Sequence, residues 1–176
     1  MPRPVAVTFL PSTRGRLRAP ELRRIARYVL DSESVAQDVE VGVVLADDAT
    51  VRDLNRLYRG KDEETDVLSF AAHEGEAFLD APDETPSQGD VVVSVAFVER
   101  QVAGAMQDRG LKPAASGDSG VTITVQGQIA HLLVHGLLHL IGLDHELGEE
   151  DERVMTAKEE SLLEALGYAG QYAHGH

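Results

Sequence analysis

Cysteine does not occur in the chain. Disulfides and thiolate metal sites are therefore excluded, and a bound metal must be held by histidine and carboxylate. No apolar run approaches the roughly 18 residues that a membrane span requires. The N-terminal stretch MPRPVAVTFLPSTRGRLR carries no apolar segment of signal-peptide length behind its charges. A cytoplasmic protein without membrane association is the expectation. Positive charge is scarce: 16 Lys and Arg face 30 Asp and Glu, a net charge of −14. That balance argues against simple non-specific binding of nucleic acid. No internal repeat and no interior boundary is visible, so residues 1–176 read as one domain with 168–176 as a loose tail. A chain of this length buries roughly 70% of its unfolded surface.

The few basic residues are unevenly placed. Residues 1–30 hold seven arginines against Glu21 alone, while the acids gather in 62–108 and 144–164. Such a bipolar chain can present a basic face to a polyanion while the rest stays soluble.

The most informative stretch is QIAHLLVHGLLHLIGLDH, from Gln128 to His145. His135 and His139 are four apart, so on a helix they share one face. Gly142 follows, the residue type that ends a helix with positive φ, and the chain can then return His145 towards the other two. Three imidazoles with an open fourth position form the pattern of a catalytic rather than a structural zinc site. Imidazoles amid Leu132, Leu133, Val134, Leu137, Leu138, Leu140 and Ile141 have no polar neighbours of their own, and a shared metal satisfies them together.

Around this stretch the sequence reads as β-α-β-α-β-β-α-α-α. Strands are expected over 5–10, 39–45, 67–70 and 90–95. A helix opens at Pro20 and runs to about Leu30, with Arg23, Arg24 and Arg27 outside. A second, capped by Asp47 or Asp48, runs to about Tyr58 with Val51, Leu54 and Leu57 inward, and Gly60 ends it. Ala96–Met106 follows as a helix. Glu149–Leu166 is the last, with Val154, Met155, Leu162, Leu163 and Leu166 inward. Residues 73–89 and 108–120 read as loops. The stretch 121–125, VTITV, has strand propensity but runs into the histidine helix, which is secure from Gln128 to Ile141. The fold class is α+β, a small mixed sheet with helices packed around a central metal-binding helix.

The spacing His135, His139, Gly142, His145 resembles the metzincin metalloprotease pattern H-E-x-x-H-x-x-G-x-x-H. A zincin peptidase needs glutamate after the first histidine as its general base. Here that residue is Gly136, so peptide hydrolysis is disfavoured. A second stretch, LNRLYRGKDEETDVLSF from Leu54 to Phe70, places Arg59 in a loop between a helix and a strand. Beside a metal site a guanidinium can hold a phosphate bidentately and offset charge on a pentacovalent phosphorus.

Three signatures, HGLLHLIGLDH from His135, YRGKDEETDVLSF from Tyr58 and GDVVVS from Gly89, resemble those of the YbeY family. These are bacterial metal-dependent endoribonucleases of ribosomal RNA maturation. The likeness spans essentially the whole chain. It implies a zincin-like fold, one zinc ion per chain on His135, His139 and His145, and Arg59 engaging phosphate of single-stranded RNA. It further implies work on the 3′ end of small-subunit rRNA, ribosome quality control, and contact with ribosomal proteins or an assembly GTPase. Glu64 and Ala71 stand where the family generally has proline. His131 precedes the family motif and takes no role from it; packing, a shuttle or a place behind the ligands stay open. Asp144 is expected to orient a ligand or cap the turn, Asp66 and Asp90 to serve structure, and the basic helix to guide the RNA backbone. Two other readings remain: a non-catalytic zinc-containing ribosome-assembly factor, and a metal-dependent hydrolase of another substrate.

Overall fold

A computed structural model describes residues 2–72, 86–110, 122–143 and 148–173. Its four strands lie in the order β1-β2-β4-β3. Strand β1 (Val5–Phe9) pairs parallel with β2 (Glu40–Ala46), and β2 parallel with β4 (Ser87–Ser94). The edge strand β3 (Val67–Ala71) runs antiparallel to β4. A parallel pair needs a crossover, and helix α1 (Ala19–Ser32) supplies it between β1 and β2. The mixed sheet and its helices are the α+β architecture that the sequence predicts.

The sheet buries its two faces unequally. Val41, Val43, Leu45, Val91 and Val93 face the main core, which α1, α3 (Val95–Asp108), α4 (Val125–Leu140) and α5 (Glu149–Leu166) complete. Val92, Ala46 and Leu68 face the other way, under α2 (Asp48–Arg59). Helix α4 is apolar nearly all round because it packs against α1, α3, α5, β3 and β4 at once. That central position lets one helix bring histidines to the sheet edge.

Capping residues set several boundaries. Asp47 accepts a hydrogen bond from Thr50 N (2.8 Å) and opens α2, which closes at Gly60. Thr124 accepts from Gly127 N (2.9 Å) and starts α4 at Val125, three residues before the expected point. Residues 122–124 form no strand despite their β propensity. Thr124 N donates instead to Gln171 O (2.9 Å), and the side chain caps the helix.

Other expectations need correction. Residues 87–89 belong to β4 rather than to a loop, because register with Glu40 and Val41 extends the pairing across an irregularity. Leu57 is 72% and Val154 43% exposed, so neither faces the core. On α2 the buried stripe runs through Val51 and Asn55 instead. Tyr168 and residues 171–173 are packed rather than loose. Tyr172 is buried and Ala173 N donates to Gln128 Oε1 (2.8 Å). Residues 73–85 and 111–121, most of the two expected loops, lie outside the described residues, as do 174–176.

Candidate active site

The C-terminal half of α4 faces a cleft of about 640 Å³ whose lining includes Asn55, Arg59, Lys61, Ser69, His135 and His139. The two histidines are four positions apart, so their rings meet edge to face, with centroids 4.5 Å apart at 78°. His135 Nε2 and His139 Nε2 stand 3.1 Å apart. After His139 the helix ends in two reversing hydrogen bonds, Gly142 N to His139 O (3.0 Å) and Leu143 N to Leu138 O (3.1 Å). Gly142 sits at φ 95°, the conformation its place in the motif predicts.

Behind His135 stands a residue that the sequence reading did not single out. Glu159, on α5, places Oε1 2.6 Å from His135 Nδ1 and Oε2 3.3 Å from His131 Nε2. Burial works against its charge, but the hydrogen bonds with His131 and His135 outweigh it and hold the carboxyl down at about 2. An ionised carboxylate only accepts, so His135 Nδ1 and His131 Nε2 are the donors. In the neutral His135 ring the Nε2 lone pair then points at His139. His131 is buried and stacked on Tyr172, with centroids 4.5 Å apart at 24°. The signal for Glu159 was present: a carboxylate on the buried stripe of α5 with Met155, Leu162 and Leu163.

The donor set can be tested against a metal ion. Two nitrogens bound at ~2.0–2.1 Å around a tetrahedral ion lie about 3.3 Å apart. The 3.1 Å between His135 Nε2 and His139 Nε2 matches that bite, and the Nδ1 bond to Glu159 leaves the correct nitrogen free of its proton. Among the described residues no three His, Cys, Asp or Glu form a metal cluster. The expected third ligand, His145, and its neighbour Asp144 lie outside the described residues.

Arg59, the last residue of α2, lines the same cleft. Its Nη2 donates to Ser69 O (2.6 Å), and its guanidinium lies 5.8 Å from the Phe70 ring centroid. Ser69 Oγ in turn donates to Gly136 O (3.1 Å), so β3 links the arginine to the histidine helix. Position 136 also explains the missing peptidase base. A Cβ there would stand 2.6 Å from Val91 Cγ1 and 2.9 Å from Ser69 Oγ. The helix lies so close to the sheet that a glutamate has no room.

Asp66 Oδ2 accepts from Gln101 Nε2 (2.9 Å), and Asp90 lies over Gly42 of β2, its carboxyl raised by burial. The outer arginines of α1 are tied down: Arg23 Nε donates to Val5 O (3.2 Å), Arg27 Nε to Arg3 O (3.1 Å), and Arg24 Nη2 to Leu166 O (2.9 Å). They brace the N-terminal strand and α5, while the Arg24 side chain stays 48% exposed.

A family model described as Endoribonuclease YbeY matches residues 13–167. The chain belongs to the YbeY family. Endoribonuclease YbeY of Pelotomaculum thermopropionicum is 42% identical over 145 residues, covering 82% of this chain and 84% of the relative. That of Roseiflexus castenholzii is 37% identical over 163 residues, covering 93% of this chain and 92% of its own. The solution structure of TM1509 from Thermotoga maritima superposes with a TM-score of 0.52 at 22% identity, over 92% of this chain and 88% of that one. It shows the same fold. The family likeness read from three short signatures thus extends over most of the chain.

Proposed function

We propose that this chain cuts single-stranded RNA at the cleft between α2 and α4, with His135, His139 and His145 holding one zinc ion and Arg59 holding the phosphate. Membership in the YbeY family carries the reaction class: an endoribonuclease, which hydrolyses internal phosphodiester bonds. The observation that supports the site is the shared cleft, lined by two imidazole nitrogens at ligand separation and by Arg59.

When bound, the ion supplies Lewis-acid activation of water. The protein's own residues do the rest. Arg59 is permanently cationic, and its bond to Ser69 O fixes the guanidinium plane at the cleft mouth. There it binds non-bridging phosphate oxygens and offsets the charge that grows on them in the transition state. Lys61 lines the same cleft and adds a second positive charge, which Glu63 and Glu64 in the same lining oppose, Glu64 being paired with Arg100 at 2.9 Å. Tyr58, 64% exposed and edge-on to Phe70 at 5.3 Å, offers an aromatic face beside Arg59 on which an unpaired base can stack. In a duplex the bases are already stacked, so such a face favours single strands.

The finer assignment is maturation of the 3′ end of small-subunit rRNA in the cytoplasm, with ribosomal proteins or an assembly GTPase as partners. It rests on the family likeness. Among the described residues no helix is long and apolar enough to cross a membrane.

The test is cleavage of a single-stranded RNA by zinc-loaded protein, beside Arg59→Ala and His139→Ala. Cleavage by the wild type alone supports the reading. Equal cleavage by all three points to a contaminating nuclease and sinks the site assignment. No cleavage by any of them, on free RNA and on ribosomal particles, favours a non-catalytic assembly factor.

A further inference from the structure

We propose that Glu159 is a positioning residue for the metal ligand His135, and that His131, stacked on Tyr172, braces Glu159 for that role. The inference rests on the metal-site reading above and assigns work to residues outside the three-histidine signature.

Its first support is geometric. Both oxygens of one buried carboxylate are taken by two imidazoles of α4, at 2.6 and 3.3 Å. His131 and His135 are one turn apart on that helix and Glu159 lies on α5, so the contact spans two elements and orients the rings in the fold. The bond falls on Nδ1 of His135, which directs Nε2 at His139. A carboxylate behind a histidine ligand fixes its tautomer, limits ring rotation and raises the basicity of the coordinating nitrogen.

The second support is the position of the acid. Glu159 is 8% exposed and stands between Met155 and Leu162 on the stripe that α5 buries. A carboxylate there is costly unless donors compensate it. An apolar residue would serve packing better, as it does at Leu162 and Leu163. The neighbouring Lys158 does not share the site, since its ammonium pairs with Glu33, just past the end of α1, at 2.7 Å.

The third support comes from the tail. Tyr172 lies beyond the 13–167 span that matches the family, yet it is buried against His131. Its ring is held by the segment around it, where Gln171 O accepts from Thr124 N and Ala173 N donates to Gln128 Oε1. The tail therefore closes the far side of the chain Tyr172–His131–Glu159–His135.

The test measures zinc affinity of the full-length protein by competition with a chromophoric chelator, together with the visible spectrum of the cobalt-substituted form. Wild type, Glu159→Gln and Tyr172→Ala are compared, each with circular dichroism to verify folding. Glu159→Gln keeps the side chain's shape and so separates positioning from packing. The expected result is a 10- to 100-fold loss of zinc affinity for Glu159→Gln with an altered cobalt spectrum. Tyr172→Ala is expected to lose several-fold, acting at one remove. Affinities within twofold of wild type and an unchanged cobalt spectrum in folded Glu159→Gln would overturn the role of Glu159. The same result for Tyr172→Ala alone would remove the brace. A wild type that binds no zinc sinks the metal-site reading itself, an outcome distinct from both.

Discussion

At the scale of single residues, spacing constrains this site most strongly where side chains are smallest. Gly136, next to His135, meets the sheet, with Val91 and Ser69 already inside the distance a Cβ tolerates. Gly136→Ala should therefore force α4 away from β3 and β4, at a cost of about 1–3 kcal/mol by overpacking. The urea midpoint measures this, and an unchanged midpoint would show that the close approach is not needed. Tyr58 makes a contrasting case, because it is exposed and its loss opens no core. Tyr58→Ala should raise KM for single-stranded RNA, by up to the ~1–3 kcal/mol that stacking one base is worth, with kcat nearly unchanged. A KM equal to that of the wild type, or a fall in kcat instead, counts against a stacking role. The histidine spacing was legible in the sequence because it repeats with the helix. Glu159 was not: only its place among buried residues marks it, and which histidines it meets depends on how α5 docks on α4.

At the scale of elements, α5 is fastened to α1 by a latch of three side chains. Arg24 donates twice to Glu21 (2.7 and 3.0 Å) and once to Leu166 O, while Tyr168 Oη donates to Glu21 Oε1 (2.7 Å). The hydrogen bond from Arg24 holds Glu21 below its ordinary 4.5, and burial and the bond to Glu21 push Tyr168 up from 10.0 to about 12. The fold therefore prefers Tyr168 protonated. Its contribution is whole below pH 10 and is lost as pH rises from about 10 to about 12. That of Glu21 is whole above its ordinary value and fades as pH falls below it. Tyr168→Phe should destabilise the protein by ~1.5–3 kcal/mol at neutral pH, the worth of a hydrogen bond to a charged acceptor. The variant should also show a flatter decline between pH 10 and 12, measured by denaturant unfolding at each pH. Parallel profiles would mean that another group governs the alkaline limb. Periodicity placed α1, α2 and α5 well, since each has one buried stripe. It failed at Leu57 and Val154, which continue the apolar spacing past the edge of the covered face. It left 122–124 undecided and missed the tail, because Thr124 N donates to Gln171 O and Ala173 N to Gln128, pairings that no local pattern announces.

At the scale of the whole molecule, a chain with net charge −14 has to hold a polyanion. The sequence places its arginines in the first thirty residues, which suggests a basic track. In the fold, however, Arg16 pairs with Glu99, Arg24 with Glu21, and Arg23 and Arg27 donate to main-chain carbonyls. The cations that line the cleft of His135 and His139 are Arg59 and Lys61. RNA binding should then neutralise about two phosphates, and for a single strand log K falls with log salt with a slope near −0.7 per phosphate, or about −1.4 here. Fluorescence anisotropy of a short labelled single strand, titrated between 50 and 300 mM salt, gives that slope. Arg59→Ala should reduce it by roughly 0.7, while Arg23→Ala and Arg27→Ala leave it unchanged. A wild-type slope steeper than about −4 would require six or more phosphates in contact. In that case the α1 arginines face the RNA after all, and their carbonyl bonds orient them for it instead of withdrawing them from it.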